Sequence, residues 1–293
     1  MKKILPFLFL LAAVRAQGSG FPSLKLGVDA HYSAMGNAGT ASGLDASAGY
    51  RNPAGLIADR RTEAVFTLHR WMQGVKSGFL GLAFKGRKSG GSIHLLYTGV
   101  PDIEYRTAEP SPEPAGRFSS TEMTLGGSVA RALTSRLSAG ISLKLYYEKI
   151  FVEEALGFGG DFGLSYALSE RGMRIGGAIQ NIGKTGRLAS EPIELPLAAR
   201  IGIAAPVAIG PGDCLVLLDA VKEKDSKLHF HGGAEFAWRK LLFLRAGYQT
   251  GYDTYGFSGG VGISFLKTRL DYSMMPMAKG LGDSHRFSVN LVL

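Results

Sequence analysis

Cysteine is nearly missing from this chain. Its 293 residues include one, Cys214, so neither a disulfide scaffold nor a cysteine-rich metal site can be drawn. Long apolar runs are missing too, and none approaches the ~20 residues of a transmembrane helix. Charged residues are sparse at 19%, with no lysine–arginine block of the kind that grips nucleic acid, so no nucleic-acid partner is expected. The 41 glycines follow no triplet period, which excludes collagen, and 45% hydrophobic residues exclude a disordered chain. Two classes survive: a glycine-rich soluble all-β protein, or a β-barrel that lives in lipid.

The chain opens Met1-Lys2-Lys3, runs apolar from Ile4 to Val14, and leaves through Arg15-Ala16-Gln17. A positive start, a short apolar stretch and small residues at Val14 and Ala16 predict a secretory signal peptide over residues 1–16. Cleavage removes Lys2, Lys3 and Arg15, leaving a moderate positive balance suited to a polar channel and to contact with anionic lipid head groups.

What is present is a period of two. Successive side chains of a strand point to opposite faces, so alternation means one apolar and one polar face. Over 137–148, Leu137, Ala139, Ile141, Leu143, Leu145 and Tyr147 oppose Ser138, Gly140, Ser142, Lys144, Tyr146 and Glu148. Over 228–239, Leu228, Phe230, Gly232, Ala234, Phe236 and Trp238 oppose His229, His231, Gly233, Glu235, Ala237 and Arg239. Fourteen such segments are predicted: 63–72, 76–86, 90–99, 119–133, 136–149, 156–168, 172–182, 195–206, 213–223, 228–239, 241–252, 256–265, 267–275 and 284–293. The turns sort by length. Those on the side of both termini (87–89, 134–135, 169–171, 207–212, 240 and 266) are short, while the long ones (100–118, 183–194 and 276–283) all fall on the other side. Short periplasmic turns with longer outer loops mark membrane barrels. A soluble lipocalin-like protein also alternates, but fourteen soluble strands would usually split into two domains, and no linker is found. The expected fold is therefore all-β, a transmembrane antiparallel up-and-down β-barrel of about 14 strands over 63–293, in contact with outer-membrane lipid.

In such a barrel the apolar face meets lipid and the polar face lines the lumen. The predicted lumen-facing set is Lys144, Glu148, Asp161, Arg174, Arg200, His229, His231, Glu235, Arg245, Arg269, Asp271 and Arg286, of mixed sign and so able to pair internally. Glycines on the inner face, Gly159, Gly163, Gly176, Gly202, Gly260 and Gly262, leave room for other groups. Trp71, Tyr97, Tyr147, Tyr166, Trp238, Tyr248 and Tyr272 sit near strand ends, where aromatic girdles form. Residues 17–62 are rich in glycine, alanine, serine and aspartate and are expected to enter the lumen as a plug, the alternative being a periplasmic tail.

Several stretches then carry a family likeness: Ser33-Ala34-Met35-Gly36-Asn37-Ala38-Gly39-Thr40-Ala41, Asp45-Ala46-Ser47-Ala48, Asn52-Pro53-Ala54-Gly55-Leu56, Asp161-Phe162-Gly163-Leu164, Gln180-Asn181-Ile182-Gly183, Leu244-Arg245-Ala246-Gly247-Tyr248 and His285-Arg286-Phe287-Ser288. In order and spacing they resemble the FadL-like outer-membrane barrels, and more closely the PorV/PorQ branch, along essentially the whole mature chain. The resemblance implies a fourteen-stranded barrel with an N-terminal hatch that includes Asn52, Pro53, Ala54 and Gly55. It also implies a role in type IX secretion, with secreted cargo and secretion-system components as partners. The FadL side of the same resemblance implies an alternative, a channel for a hydrophobic small-molecule ligand. One departure is the ending Val292-Leu293, where such barrels commonly end in phenylalanine or tryptophan.

Chemistry is thinly signalled. His229, His231 and Glu235 share one face and could hold a metal, but beside Arg239 in a polar lumen a hydrated lining is the simpler reading. Gly36-Asn37-Ala38-Gly39 lacks the lysine and the strand–loop–helix frame of a phosphate loop. No enzymatic activity, metal or cofactor is expected. Loop 100–118, with Pro101, Asp102, Tyr105, Pro110, Pro112 and Pro114, is expected to be stiff and extended and, together with 183–194 and 276–283, to dock cargo at the outer rim.

Overall fold

Alternation over this many segments builds a wall whose two faces differ in kind. The computed structural model describes residues 20–43, 45–57, 61–106, 111–188, 191–209 and 212–293; the expected signal peptide lies outside them. The strands are β1 (Arg61–Arg70), β2 (Lys76–Lys85), β3 (Ser89–Tyr105), β4 (Gly116–Ala132), β5 (Leu137–Ile150), β6 (Glu153–Ala167), β7 (Arg174–Thr185), β8 (Arg187–Leu188), β9 (Glu191–Pro192), β10 (Ala198–Ile209), β11 (Gly212–Glu223), β12 (Leu228–Trp238), β13 (Leu242–Gln249), β14 (Phe257–Phe265), β15 (Thr268–Pro276) and β16 (Asp283–Val292). Fourteen of them close an antiparallel barrel, with β7 beside β10 and β1 beside β16, while β8 and β9 form a small separate hairpin. The closing seam runs from Glu63 opposite Val292 to Arg70 opposite His285. Every predicted segment coincides with a barrel strand.

The faces are inverted relative to a soluble barrel. On β5, Leu143 is 74% exposed while its neighbour Lys144 is 2% exposed. The same holds around the wall: Leu68, Leu156, Phe158, Ile201, Phe230 and Ile263 face outward, and Thr67, Asp161, His231 and Asp271 are buried inside. An unbroken apolar exterior of this extent is stable in hydrocarbon, not water, and closure leaves no unpaired edge. No helix among the described residues is long and apolar enough to cross a membrane. We call the end where β1 begins and β16 ends the near mouth, and the opposite end the far mouth.

Three expectations need correction. Loop 100–118 is mostly strand, because β3 continues to Tyr105 and β4 starts at Gly116. Pro101 has no N–H to give the ladder, so pairing lapses at a bulge between Val100 and Ile103, with Asp102 at φ 55°, and resumes at Ile103 opposite Phe118. Pro101, Asp102 and Tyr105 thus belong to a hairpin and not to a free rim; Pro112 and Pro114 lie in its tip, and Pro110 falls outside the described residues. Arg239 is not lumenal. It occupies the exposed β12–β13 turn at φ 51°, with its guanidinium 5.1 Å from the centroid of the Trp238 ring. Trp71 is part-buried and lies 6.4 Å from the ring of the buried His69, over the lumen and not in a lipid-facing girdle.

Residues 20–57 lie inside the barrel, built from short pieces. These are 3-10 turns at Pro22–Lys25 and Pro53–Leu56 and one-turn helices α1 (Ala30–Ala34) and α2 (Ala48–Arg51). Asp29 caps α1 by accepting the Tyr32 N–H at 2.8 Å. Asn52 caps the Pro53–Leu56 turn through the Ala54 N–H at 3.1 Å, and its amide donates to the Thr40 and Leu164 carbonyls at 2.8 and 3.0 Å. The expected hatch motif Asn52-Pro53-Ala54-Gly55 is therefore a wall contact as well as a turn. The segment starts at the far mouth, where the Gly20 N–H donates to the Glu194 carbonyl (2.9 Å), and ends at the near mouth, where Ile57 bridges Gly86. It also reaches the closing seam: the Ala30 N–H donates to Ser288 Oγ at 2.9 Å, and Ser288 lies opposite Thr67. Wall glycines admit its backbone. A Cβ at Gly233 or Gly247, cross-strand partners on β12 and β13, would fall on Met35, and one at Gly176 would fall on Thr40 and Ala41.

Candidate functional site

The lumen is packed by ion pairs between residues 20–57 and the wall. On β12, β13 and β15, Arg245 donates from Nε to Glu235 Oε2 (2.6 Å) and from Nη1 to Asp271 Oδ1 (2.7 Å), while Arg269 Nε donates to Asp271 Oδ2 (2.8 Å). His31 of α1 joins this group to the inner segment, with Nε2 2.9 Å from Glu235 and Nδ1 3.0 Å from Asp45. Asp29 pairs with Arg51 at 2.7 Å, and Arg51 also stacks over the Tyr32 ring at 4.2 Å. Burial opposes ionisation in such a place, so charges persist only where partners are close.

The remaining expected lumenal residues also point inward, each with its own contact. Lys144 pairs with Asp161 at 2.7 Å and donates to Asn181 Oδ1 at 3.1 Å. Arg200 donates to the Asn37 carbonyl (3.1 Å), Arg174 to the Ile57 carbonyl (3.4 Å) and Arg286 to the Gly27 carbonyl (3.2 Å). His229 stacks on Tyr252 with ring centroids 4.1 Å apart, and His231 Nε2 lies 3.0 Å from the Tyr252 hydroxyl. These two histidines are not brought together with Glu235, which is committed to Arg245 and His31. Among the described residues no group of three or more histidine, cysteine or acidic side chains is placed to hold a metal. Glu148 alone of the set has no partner among the described residues.

Sequence reasoning missed several members. Asp219 receives the Gly39 and Thr40 N–H groups (2.9 and 3.0 Å) and the Thr40 hydroxyl (2.7 Å), anchoring the inner segment to β11. Its inner-face parity in segment 213–223 was a usable signal. Lys85 pairs with Glu63 at 2.6 Å and donates to the Gly43 carbonyl at 2.7 Å. No local pattern announces His31, Asp45 or Arg51.

The pairing of His31 has a sign that can be worked out. Burial pushes its pKa down, as do Arg269 and Arg245, but Glu235 and the bond to Asp45 outweigh them, so it rises above 6.5. For Asp45, burial pushes up, yet His31 and Arg269 prevail and hold the carboxyl far below its ordinary value of 3.8. A raised histidine stabilises the fold fully below 6.5 and loses that contribution as pH climbs past its raised value. A depressed aspartate stabilises above 3.8 and loses this only in strong acid. Stability from this pair is thus greatest between about 4 and 6.5. Unfolding midpoints measured in detergent from pH 5 to 9 should fall above neutrality. His31→Gln should flatten that decline; an unchanged slope would refute the assignment.

The wall itself parts at one place. β7 pairs with β10 from Arg174 opposite Ala204 to Gln180 opposite Ala198, and then β7 runs on to Thr185 paired with β6 only. Asn181 marks the divergence with φ 62°, its N–H bonded to Asp161 Oδ1 (2.8 Å) and its side-chain amide to the Pro196 carbonyl (3.1 Å). Between the strands opens a cleft of about 400 Å³ lined by Ile182, Ile193, Leu195 and Leu197, with Lys184 and the Lys224–Glu194 pair at its edge. By contrast, the interior void bordered by Ser23, Val28 and Phe79 measures about 10 Å³, no more than a water site.

No family model matches the sequence, and no curated protein matches it either. Solved structures do. The CymD monoaromatic hydrocarbon channel aligns at TM-score 0.66 with 15% identity, covering 91% of this chain and 96% of that one. The toluene transporter TbuX of Ralstonia pickettii aligns at 0.63 with 12% identity over 91% and 97% of the two chains. The toluene transporter TodX of Pseudomonas putida aligns at 0.63 with 15% identity over 91% and 96%. At such identities the likeness is one of architecture alone: this chain shares a closed β-barrel fold with them.

Proposed function

We propose that the protein is an outer-membrane channel for hydrophobic small molecules, with the near mouth facing the periplasm and residues 17–62 serving as its plug. The observation that carries this reading is the parting of β7 from β10. With the lumen filled, an apolar solute has no axial path, whereas the cleft presents aliphatic side chains at the lipid-facing wall. Pockets that take apolar ligands combine such a lining with a few polar groups that orient the molecule, here Asn181 and the Lys224–Glu194 pair. Fold likeness to channels for toluene and other monoaromatic hydrocarbons supports a small apolar solute as the class.

The test is uptake of labelled toluene by cells whose outer membrane contains this protein. Uptake should exceed that of cells lacking it. Ile182→Trp, which places a bulky ring on an exposed position at the cleft mouth, should return uptake to the background level. Full uptake by that variant would sink the reading. A PorV/PorQ-type role in docking secreted cargo has no comparable observation behind it, and the first of the three connections invoked for its rim is largely the β3–β4 hairpin.

A further inference from the structure

The buried carboxylates of the lumen obey a rule with one exception. Glu63 lies beside Lys85, Asp29 beside Arg51, Asp161 beside Lys144, Asp45 beside His31, Glu235 and Asp271 beside Arg245, and Asp219 3.7 Å from Arg200. Glu122 on β4 and Glu148 on β5 have no cationic partner among the described residues, though only 7% and 6% exposed. They are also direct cross-strand partners, which puts their Cβ atoms about 5 Å apart on one face of the sheet. Like charges so placed repel, and the low dielectric of a packed lumen worsens it.

The two acids are not equivalent. Ser23 donates its N–H (3.2 Å) and hydroxyl (2.5 Å) to Glu122 Oε2. Glu148 receives nothing, and its Oε2 is buried with no hydrogen-bond partner among the described residues. A roof closes over the pair. Phe21 lies 5.5 Å from the ring of Tyr146, which sits two residues before Glu148 on the same face of β5. Of the buried carboxylate oxygens without a hydrogen-bond partner among the described residues, only that of Glu148 belongs to an acid with no cation beside it, which marks the place of a missing positive charge.

We propose that Glu122 and Glu148 together bind one hydrated divalent cation of the Mg²⁺ or Ca²⁺ class beneath the Phe21–Lys25 turn. Two carboxylates and a serine hydroxyl are hard oxygen donors, which suit these ions and not the metals that prefer nitrogen or sulfur. Mg²⁺ keeps several waters when held by one or two carboxylates, and Ca²⁺ takes water among its oxygens, so two acids with water can complete either shell. The bound ion would tie the Pro22–Lys25 turn of the lumenal segment to β4 and β5 near the far mouth.

The test is calorimetric titration of MgCl₂ and of CaCl₂ into the purified, detergent-solubilised full chain after removal of metals with EDTA, at neutral pH. One of the two salts should bind at one equivalent per chain. Glu148→Gln should abolish that binding and, with the repulsion removed, raise the metal-free unfolding midpoint above that of the parent protein. Glu154→Gln, which removes an exposed acid on β6, should change neither. If Glu148→Gln does not fold, judged by heat-modifiable electrophoretic migration, Glu122→Gln serves in its place with the same expectation. Absence of binding by the parent protein, as for two carboxyls sharing a proton, overturns the proposal, as does binding that survives in both glutamine variants.

Discussion

Replacing Arg245 with methionine should destabilise the barrel by about 3–5 kcal/mol, the usual cost of taking one partner from a buried ion pair. Its side chain is fully buried and divides its donors between Glu235 at 2.6 Å and Asp271 at 2.7 Å. Removal leaves two carboxylates facing each other across β13 and β14. His31 and Arg269 still touch them, which sets the loss toward the lower end of that range. Combining Arg245→Met with Asp271→Asn removes one orphaned charge and should recover part of the loss, whereas two independent lesions would add. Urea unfolding in detergent, followed through Trp238 fluorescence, measures both. A loss below about 1 kcal/mol would place the group in bulk-like water and not in a packed lumen.

Gly247→Val should be nearly as severe, for a steric reason. Its added atoms would meet the Met35 backbone and the Gly36 nitrogen, and neither can rotate away as a flexible side chain would. Overpacking commonly costs about 1–3 kcal/mol. With backbone on both sides, the upper end of that range is expected, together with displacement of the lumenal segment. A barrel of fourteen strands that loses its filling becomes a water-filled pore, so planar-bilayer recordings should show conductance steps that the parent protein lacks. Gly259→Val, on the opposite parity with no close neighbour beyond ordinary contact, should conduct like the parent. Equal behaviour of the two variants would mean that the segment does not lean on the wall at Gly247.

How much of this was readable beforehand follows from the physics of each part. Strand number, sidedness of turns and the inward set from Lys144 to Arg286 are all consequences of a period-two code, which every residue in a strand obeys. The code fails where the backbone leaves the strand. Counting parity one residue too far put Arg239 in the lumen, although Arg239 and Lys240, both at positive φ, form the β12–β13 turn without glycine. Proline at 101 suggested a loop, yet a bulge let the ladder resume beyond it. Pairing was illegible for another reason. His31 meets Glu235, and Asp219 meets Thr40, across separations of about two hundred residues, and only closure of the barrel brings them together. The cleft was hidden too: Gln180 and Asn181, both buried, break the alternation, but nothing local says that the partner strand departs there.

The closing seam, finally, dictates an order of assembly. Ser288 receives the Ala30 N–H and also lies within 2.7 Å of the Thr67 hydroxyl across the β1–β16 junction. The β7–β10 cleft, at about 400 Å³, is too small to pass a polar, multiply bonded ribbon sideways, and the wall glycines leave little slack for threading it lengthwise. The expected order is that the ribbon is laid into an open, curling sheet before the last row of hydrogen bonds zips shut over it. On that order residues 20–57 become the mandrel around which the final strand is wrapped.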